Sequence, residues 1–127
     1  NKLHPDNLNS NYNTSNGIYT PHCGLDNVLC TWGHDEYLYR VLTYNNCPLP
    51  EEALYLIRYH SLYPWHTQGS YSHLASQKDK DLLPLLQRFN SYDLYTKEDK
   101  ELNWEELKTY YQKLIHKYLS PDGDLYW

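Results

Sequence analysis

Three side chains with metal-binding chemistry stand where apolar stripes should continue: His34, His60 and Asp93. His34 keeps the spacing of Leu38 and Val41, His60 that of Ala53 and Ile57, and Asp93 that of Leu82, Leu86 and Phe89. On helices, each would share the inward face of its own segment. An ionised carboxylate buried without a partner is costly or gives up its charge, so Asp93 on such a face asks for a cation. Two imidazoles and a carboxylate are also the donors that facing helices of a bundle offer to iron or manganese. The plainer alternatives are an ordinary hydrogen-bonded core role for each histidine, and an ion pair from Asp93 to Lys97 four residues on. His4, His22, His66, His73 and His116 lie off the stripes and read as exposed or structural. Asp35 follows His34 directly, but helical neighbours point about 100° apart, so the dyad is not itself a metal motif. Cys23, Cys30 and Cys47 have no C-x-x-C spacing and no histidine at an informative distance in sequence, which leaves nucleophilic chemistry without support.

The elements that must position these residues read as helices. The stretch 1–24, rich in Asn, Ser, Thr and Gly, shows no sustained period and reads as extended loop; residues 25–127 read as helical. A first helix runs from Trp32-Gly33 to Asn45-Asn46, with Asp35, Glu36 and Arg40 facing away from its stripe. Pro50, Glu51 and Glu52 suit the start of a second helix, which Pro64 should end near Tyr63. Residues 65–77 read as loop or short irregular helix with a turn at Gly69-Ser70. A third helix is expected to open at Asp81 as N-cap, with Pro84 in its first turn. The fourth opens at Asn103 with Glu106 three residues later, carries Leu107, Tyr110, Tyr111, Leu114, Ile115 and Tyr118, and stops before Pro121 and Gly123. No strand-like alternation and no internal repeat survive, so the class is all-α.

At 127 residues, with 40% hydrophobic residues and 15 Tyr, the chain has the size of one domain and the material for a core. The Tyr and Trp residues fall mostly at helical core spacing, which favours packing over carbohydrate stacking. Mean hydropathy is -0.85, and no apolar run approaches the roughly 20 residues of a membrane span. Net charge is -5 with Lys and Arg scattered, so neither nucleic acid nor a membrane surface is an expected partner. An odd set of 3 cysteines without a signal-like start points to a reducing, cytoplasmic setting. With a start at Asn1 and no Met, the chain is expected to be a fragment of a longer protein.

The words of the sequence carry a further signal. Tyr12-Asn13-Thr14, Gly17-Ile18-Tyr19, Cys23-Gly24-Leu25-Asp26-Asn27-Val28, Trp32-Gly33-His34-Asp35-Glu36-Tyr37, Arg58-Tyr59-His60-Ser61-Leu62-Tyr63-Pro64-Trp65-His66, Asp93-Leu94-Tyr95-Thr96-Lys97 and Tyr110-Tyr111-Gln112 closely resemble the myo-inositol oxygenase family. The resemblance runs over nearly the whole chain and matches the C-terminal half of the family's domain. It implies an HD-domain-like helical bundle holding two iron ions, an oxidoreductase of inositol catabolism that opens the ring of myo-inositol with O2 to give D-glucuronate. By family position His34 and His60 look like ligands of one iron and Asp93 like a ligand of the other, while Asp35 is not a ligand. His60, Ser61 and Lys97 look like contacts to the substrate. The family also uses an upstream His, a His-Asp pair that bridges the irons and a further Lys, all earlier than the stretch matched here. The 127 residues alone are therefore expected to be inactive, and the complete protein to be a monomer. The competing readings are an HD-type metal-dependent phosphohydrolase, for which only Arg58 lies close to the histidines in sequence, and a non-catalytic helical module.

Overall fold

Gly33 breaks the chain in an extended conformation, and α1 (His34–Tyr44) starts at the first residue of the predicted stripe, with Asp35 and Glu36 in its first turn. Residues 4–29, 32–93, 102–119 and 125–127 are described by the computed structural model. Five α-helices and two short 3-10 turns, with no strand among the described residues, make it all-α. The chain forms two compact units, Asn1–Thr31 with Leu62–Gln87, and Trp32–Ser61 with Arg88–Trp127.

In the first unit, turns and the 3-10 segment Pro5–Leu8 lead to a second 3-10 turn, Leu25–Asn27. Two helices were placed differently by sequence. Pro64 does not end the second helix; it opens α3 (Tyr63–Gln68), because a first-turn N–H has no helical partner to lose. Gly69, at φ 69°, closes that helix in the left-handed region. Next, α4 (Gln77–Asp93) begins four residues before Asp81, which leaves Pro84 inside the helix instead of in its first turn. The cause is a reciprocal cap: the Ser76 N–H and hydroxyl donate to Asp79 Oδ2 at 2.8 and 2.7 Å, and the Asp79 N–H donates to Ser76 Oγ at 3.4 Å. Asp79, only 1% exposed, also accepts from the Leu25 N–H at 3.0 Å, so one carboxylate starts α4 and anchors the Leu25–Asn27 turn. Leu25, Val28, Trp65, Leu74, Ala75 and Leu86 are buried in this unit.

In the second unit α1 packs on α2 (Glu51–Tyr59), with Val41, Leu42, Tyr55 and Tyr59 buried. Between the two helices lies a charged contact. Arg58 donates from Nε to Glu36 Oε2 at 2.6 Å and from Nη2 to Oε1 at 3.2 Å, and Arg40 Nε donates to Oε1 at 2.8 Å. Glu36 and Arg58 are each 7% exposed, and the Arg58 guanidinium lies 4.5 Å from the Tyr39 ring centroid. Glu36, expected to face away from the core, is thus buried as the partner of Arg58. The last helix, α5 (Trp104–Tyr118), has Asn103 at its N-cap position without a side-chain capping bond, and buries none of its residues. Its apolar stripe is present as predicted, yet Tyr110, Tyr111 and Ile115 are exposed.

Removing one member of a buried pair strands the other, which costs about 3–5 kcal/mol. Arg58→Ala is expected to lower the unfolding free energy by that amount in urea titrations. Glu36→Leu combined with Arg58→Met should recover at least half of the loss. A loss for Arg58→Ala below about 1 kcal/mol would class the pair with surface ion pairs.

Candidate metal centre

The α1–α2 contact brings the first turn of α1 against the end of α2. His34 is the first residue of α1, and His60 is the C-cap of α2, which stops at Tyr59 and not at Tyr63. Their Nε2 atoms lie 3.3 Å apart, with the rings edge to face at 76°. His60 Nδ1 lies 2.9 Å from the Ile57 carbonyl oxygen. A carbonyl only accepts, so this nitrogen carries the proton and, in the neutral ring, Nε2 is left with a lone pair directed at His34. A backbone partner of this kind fixes the tautomer and orientation that a metal-ligating histidine needs. Phe89, near the end of α4, packs edge-on against the His60 ring at 6.2 Å between centroids.

Two imidazole nitrogens bound to one metal at about 2.0–2.1 Å and a roughly tetrahedral angle are about 3.3 Å apart. The observed spacing therefore fits one shared cation, and it also suits a bond in which His34 donates to His60. His60 is half-buried and His34 exposed. Asp35 and Ser61 flank the pair: the Ser61 hydroxyl donates to Asp35 Oδ2, and Asp35 Oδ1 accepts the Glu36 N–H at 2.9 Å. Burial pushes the Asp35 carboxyl up, but the Ser61 hydroxyl, the backbone amides and nearby His34 outweigh it and hold the group below its usual range. Burial acts likewise on Glu36, and the hydrogen bonds and charges of Arg58 and Arg40 outweigh it. Both carboxylates stay ionised at neutral pH, at a helix N-terminus where negative charge is favoured.

Of the residues singled out by sequence, the structure joins His34, His60 and Ser61 in one place. Asp93 was expected inward; it ends α4 one turn past Phe89 and is exposed. Among the described residues no group of three or more His, Cys, Asp or Glu side chains is arranged to hold a metal, so the convergence is of two donors and not three. The reason is that a stripe records which face is apolar and not whether anything covers it; Phe89 on the same stripe is 38% exposed. Lys97 lies outside the described residues. Sequence reasoning missed Glu36 and Arg58, whose only hint was a charged Arg58 set among the apolar residues of its helix. It also set His66 aside, which is buried beside Trp65 and offers its carbonyl to Gln87 Nε2 at 3.1 Å.

The hydrogen bond to Ile57 has a direct readout. Long-range proton–nitrogen correlation spectra should show neutral His60 as the Nδ1–H tautomer. A neutral ring protonated at Nε2 would contradict the lone-pair assignment.

The chain matches the model of the family described as myo-inositol oxygenase over residues 1–127. It is 55% identical over 123 residues to the inositol oxygenase of Danio rerio, covering 97% of this chain and 44% of that protein. The Mus musculus inositol oxygenase is 54% identical over 123 residues, covering 97% of this chain and 42% of that protein, and the Homo sapiens one is 50% identical with the same coverage. The chain thus spans less than half the length of these relatives. No helix among the described residues is long and apolar enough to cross a membrane. The match over the whole of these residues, with identities at and above half, makes the chain a member of the myo-inositol oxygenase family.

Proposed function

We propose that the protein carrying this chain is an inositol oxygenase, a di-iron oxidoreductase with an HD-type helical bundle that opens myo-inositol with O2 to D-glucuronate. The observation that carries this reading is the His34–His60 pair, two imidazole nitrogens at ligand spacing in a chain 50–55% identical over 123 residues to proteins named inositol oxygenase. In this reading His34 and His60 hold one iron and Asp93 serves the other. Ser61 and Lys97 contact the polyol, and His60 borders it. The remaining ligands belong to the part of the relatives' length that this chain does not span, so the 127 residues alone are inactive. The protein works in the cytoplasm as a monomer in inositol catabolism, without nucleic acid or membrane partners.

Iron, when bound, supplies the redox capacity and Lewis acidity that side chains lack. The chain's own residues orient and hold. The Ile57 carbonyl keeps His60 turned toward His34, and Phe89 packs against its ring. The phosphohydrolase alternative needs cations free to meet phosphate, whereas Arg58, the one basic residue near the histidines in sequence, is buried on Glu36. The non-catalytic module gives no reason for an exposed histidine to meet a tautomer-fixed one at 3.3 Å.

In the full-length gene product, Asp93→Asn is expected to retain less than about one hundredth of wild-type turnover and to bind fewer than two irons. An ordinary helical ion pair with Lys97 is worth only about 0.3–0.5 kcal/mol, and its loss would leave turnover nearly intact. Iron counting together with oxygen uptake on myo-inositol decides between them: full activity with two irons bound removes Asp93 from the ligand set.

A further inference from the structure

The Ser61 hydroxyl has one proton, and its observed partner is the Asp35 carboxylate. An ionised carboxylate accepts and does not donate, so that proton is committed to Asp35. Asp35 is itself pinned, since its other oxygen takes the Glu36 N–H at 2.9 Å in the first turn of α1. The Ser61 oxygen is left with lone pairs only, on a half-buried residue that directly follows His60 and is tied to the residue after His34. We infer that Asp35 is a positioning residue for the substrate, holding Ser61 as a pure hydrogen-bond acceptor so that the site takes a hydroxyl at the contacted carbon and disfavours a carbonyl there.

The inference rests on the proposed inositol oxygenase reading and adds a selectivity to it. A ring hydroxyl donates to the Ser61 oxygen. A ketone at the same position brings a second acceptor against lone pairs, and a site built around a hydroxyl discriminates strongly against analogues that lack it. Asp35 acts through Ser61 and touches no reacting atom. Replacing it by Asn changes the direction of the contact, because a carboxamide N–H2 donates to Ser61 and frees the hydroxyl proton to face the site.

The test is a double-mutant cycle in the full-length, iron-loaded gene product, using Asp35→Asn, Ser61→Ala and both together. Ser61→Ala and Asp35→Asn are each expected to raise the KM for myo-inositol by about tenfold, the worth of one hydrogen bond, with a smaller change in kcat. The double variant should be no worse than Ser61→Ala alone. A mono-ketone analogue of inositol should compete weakly in the wild type and more strongly in Asp35→Asn. Calorimetric dissociation constants for myo-inositol should follow the KM values, whereas a merely structural Asp35 would lower the melting midpoint and leave both unmoved. Additive effects, or an unchanged KM and ketone selectivity in Asp35→Asn, would overturn this role while leaving the oxygenase reading intact. Failure of the wild type to form glucuronate would overturn that reading and this role with it.

Discussion

The Glu36–Arg58 contact is the constraint on which the site depends. A carboxylate and a guanidinium, each almost wholly withdrawn from water, are held by two hydrogen bonds, with Arg40 on the same carboxylate and the Tyr39 and Tyr59 rings beside the guanidinium. Taking two charges out of water is costly, and such a pair adds little net stability compared with apolar residues of the same shape. It does fix direction, because a planar fork engages a carboxylate in few orientations. Glu36 lies two residues after His34, and Arg58 two before His60. Locking one to the other sets the first turn of α1 against the end of α2, and both the His34–His60 approach and the Ser61–Asp35 hydrogen bond follow from that placement.

The same geometry separates three roles among adjacent residues. At the start of α1, His34 offers an imidazole, Asp35 orients a hydroxyl and Glu36 holds the neighbouring helix. At the end of α2, Arg58 answers Glu36, His60 answers His34 and Ser61 answers Asp35. The helical turn of about 100° per residue makes this division unavoidable, since consecutive side chains cannot share one target. It also explains why the adjacent His34 and Asp35 reach different partners, His60 and Ser61.

Legibility in the sequence varied with the kind of signal. The starts of α1 and α2 were readable because Gly33 and the Pro50-Glu51-Glu52 run are local punctuation, and local punctuation acts within one turn. The same rule misled at Pro64: proline stops a helix from its interior but starts one from its first turn, and only the structure shows which side of the boundary it stands on. The start of α4 was hidden for a different reason. Ser76 and Asp79 have the spacing of a cap, yet Asp79 reads as surface charge unless Leu25, 54 residues away in sequence, is known to donate to it. The stripes placed His34 and His60 on two helices that do pack together, and the two rings meet, although His34 is exposed and not inward. They overreached for Asp93, since periodicity names a face without saying whether it is covered, and α5 makes the same point with a clear stripe and no buried residue. Spacing had singled out His34, His60 and Asp93 as candidate metal donors; their assignment to two irons came from the resemblance of whole words.

In the proposed function His34 and His60 bind one iron jointly, in the place the α1–α2 contact gives them. Anomalous diffraction at the iron absorption edge, from crystals of the full-length gene product grown with iron(II), tests this most directly. Joint ligation places a peak at bonding distance, about 2.0–2.2 Å, from Nε2 of both histidines. Iron bound elsewhere, with the two nitrogens still 3.3 Å apart and joined by a hydrogen bond, would contradict it.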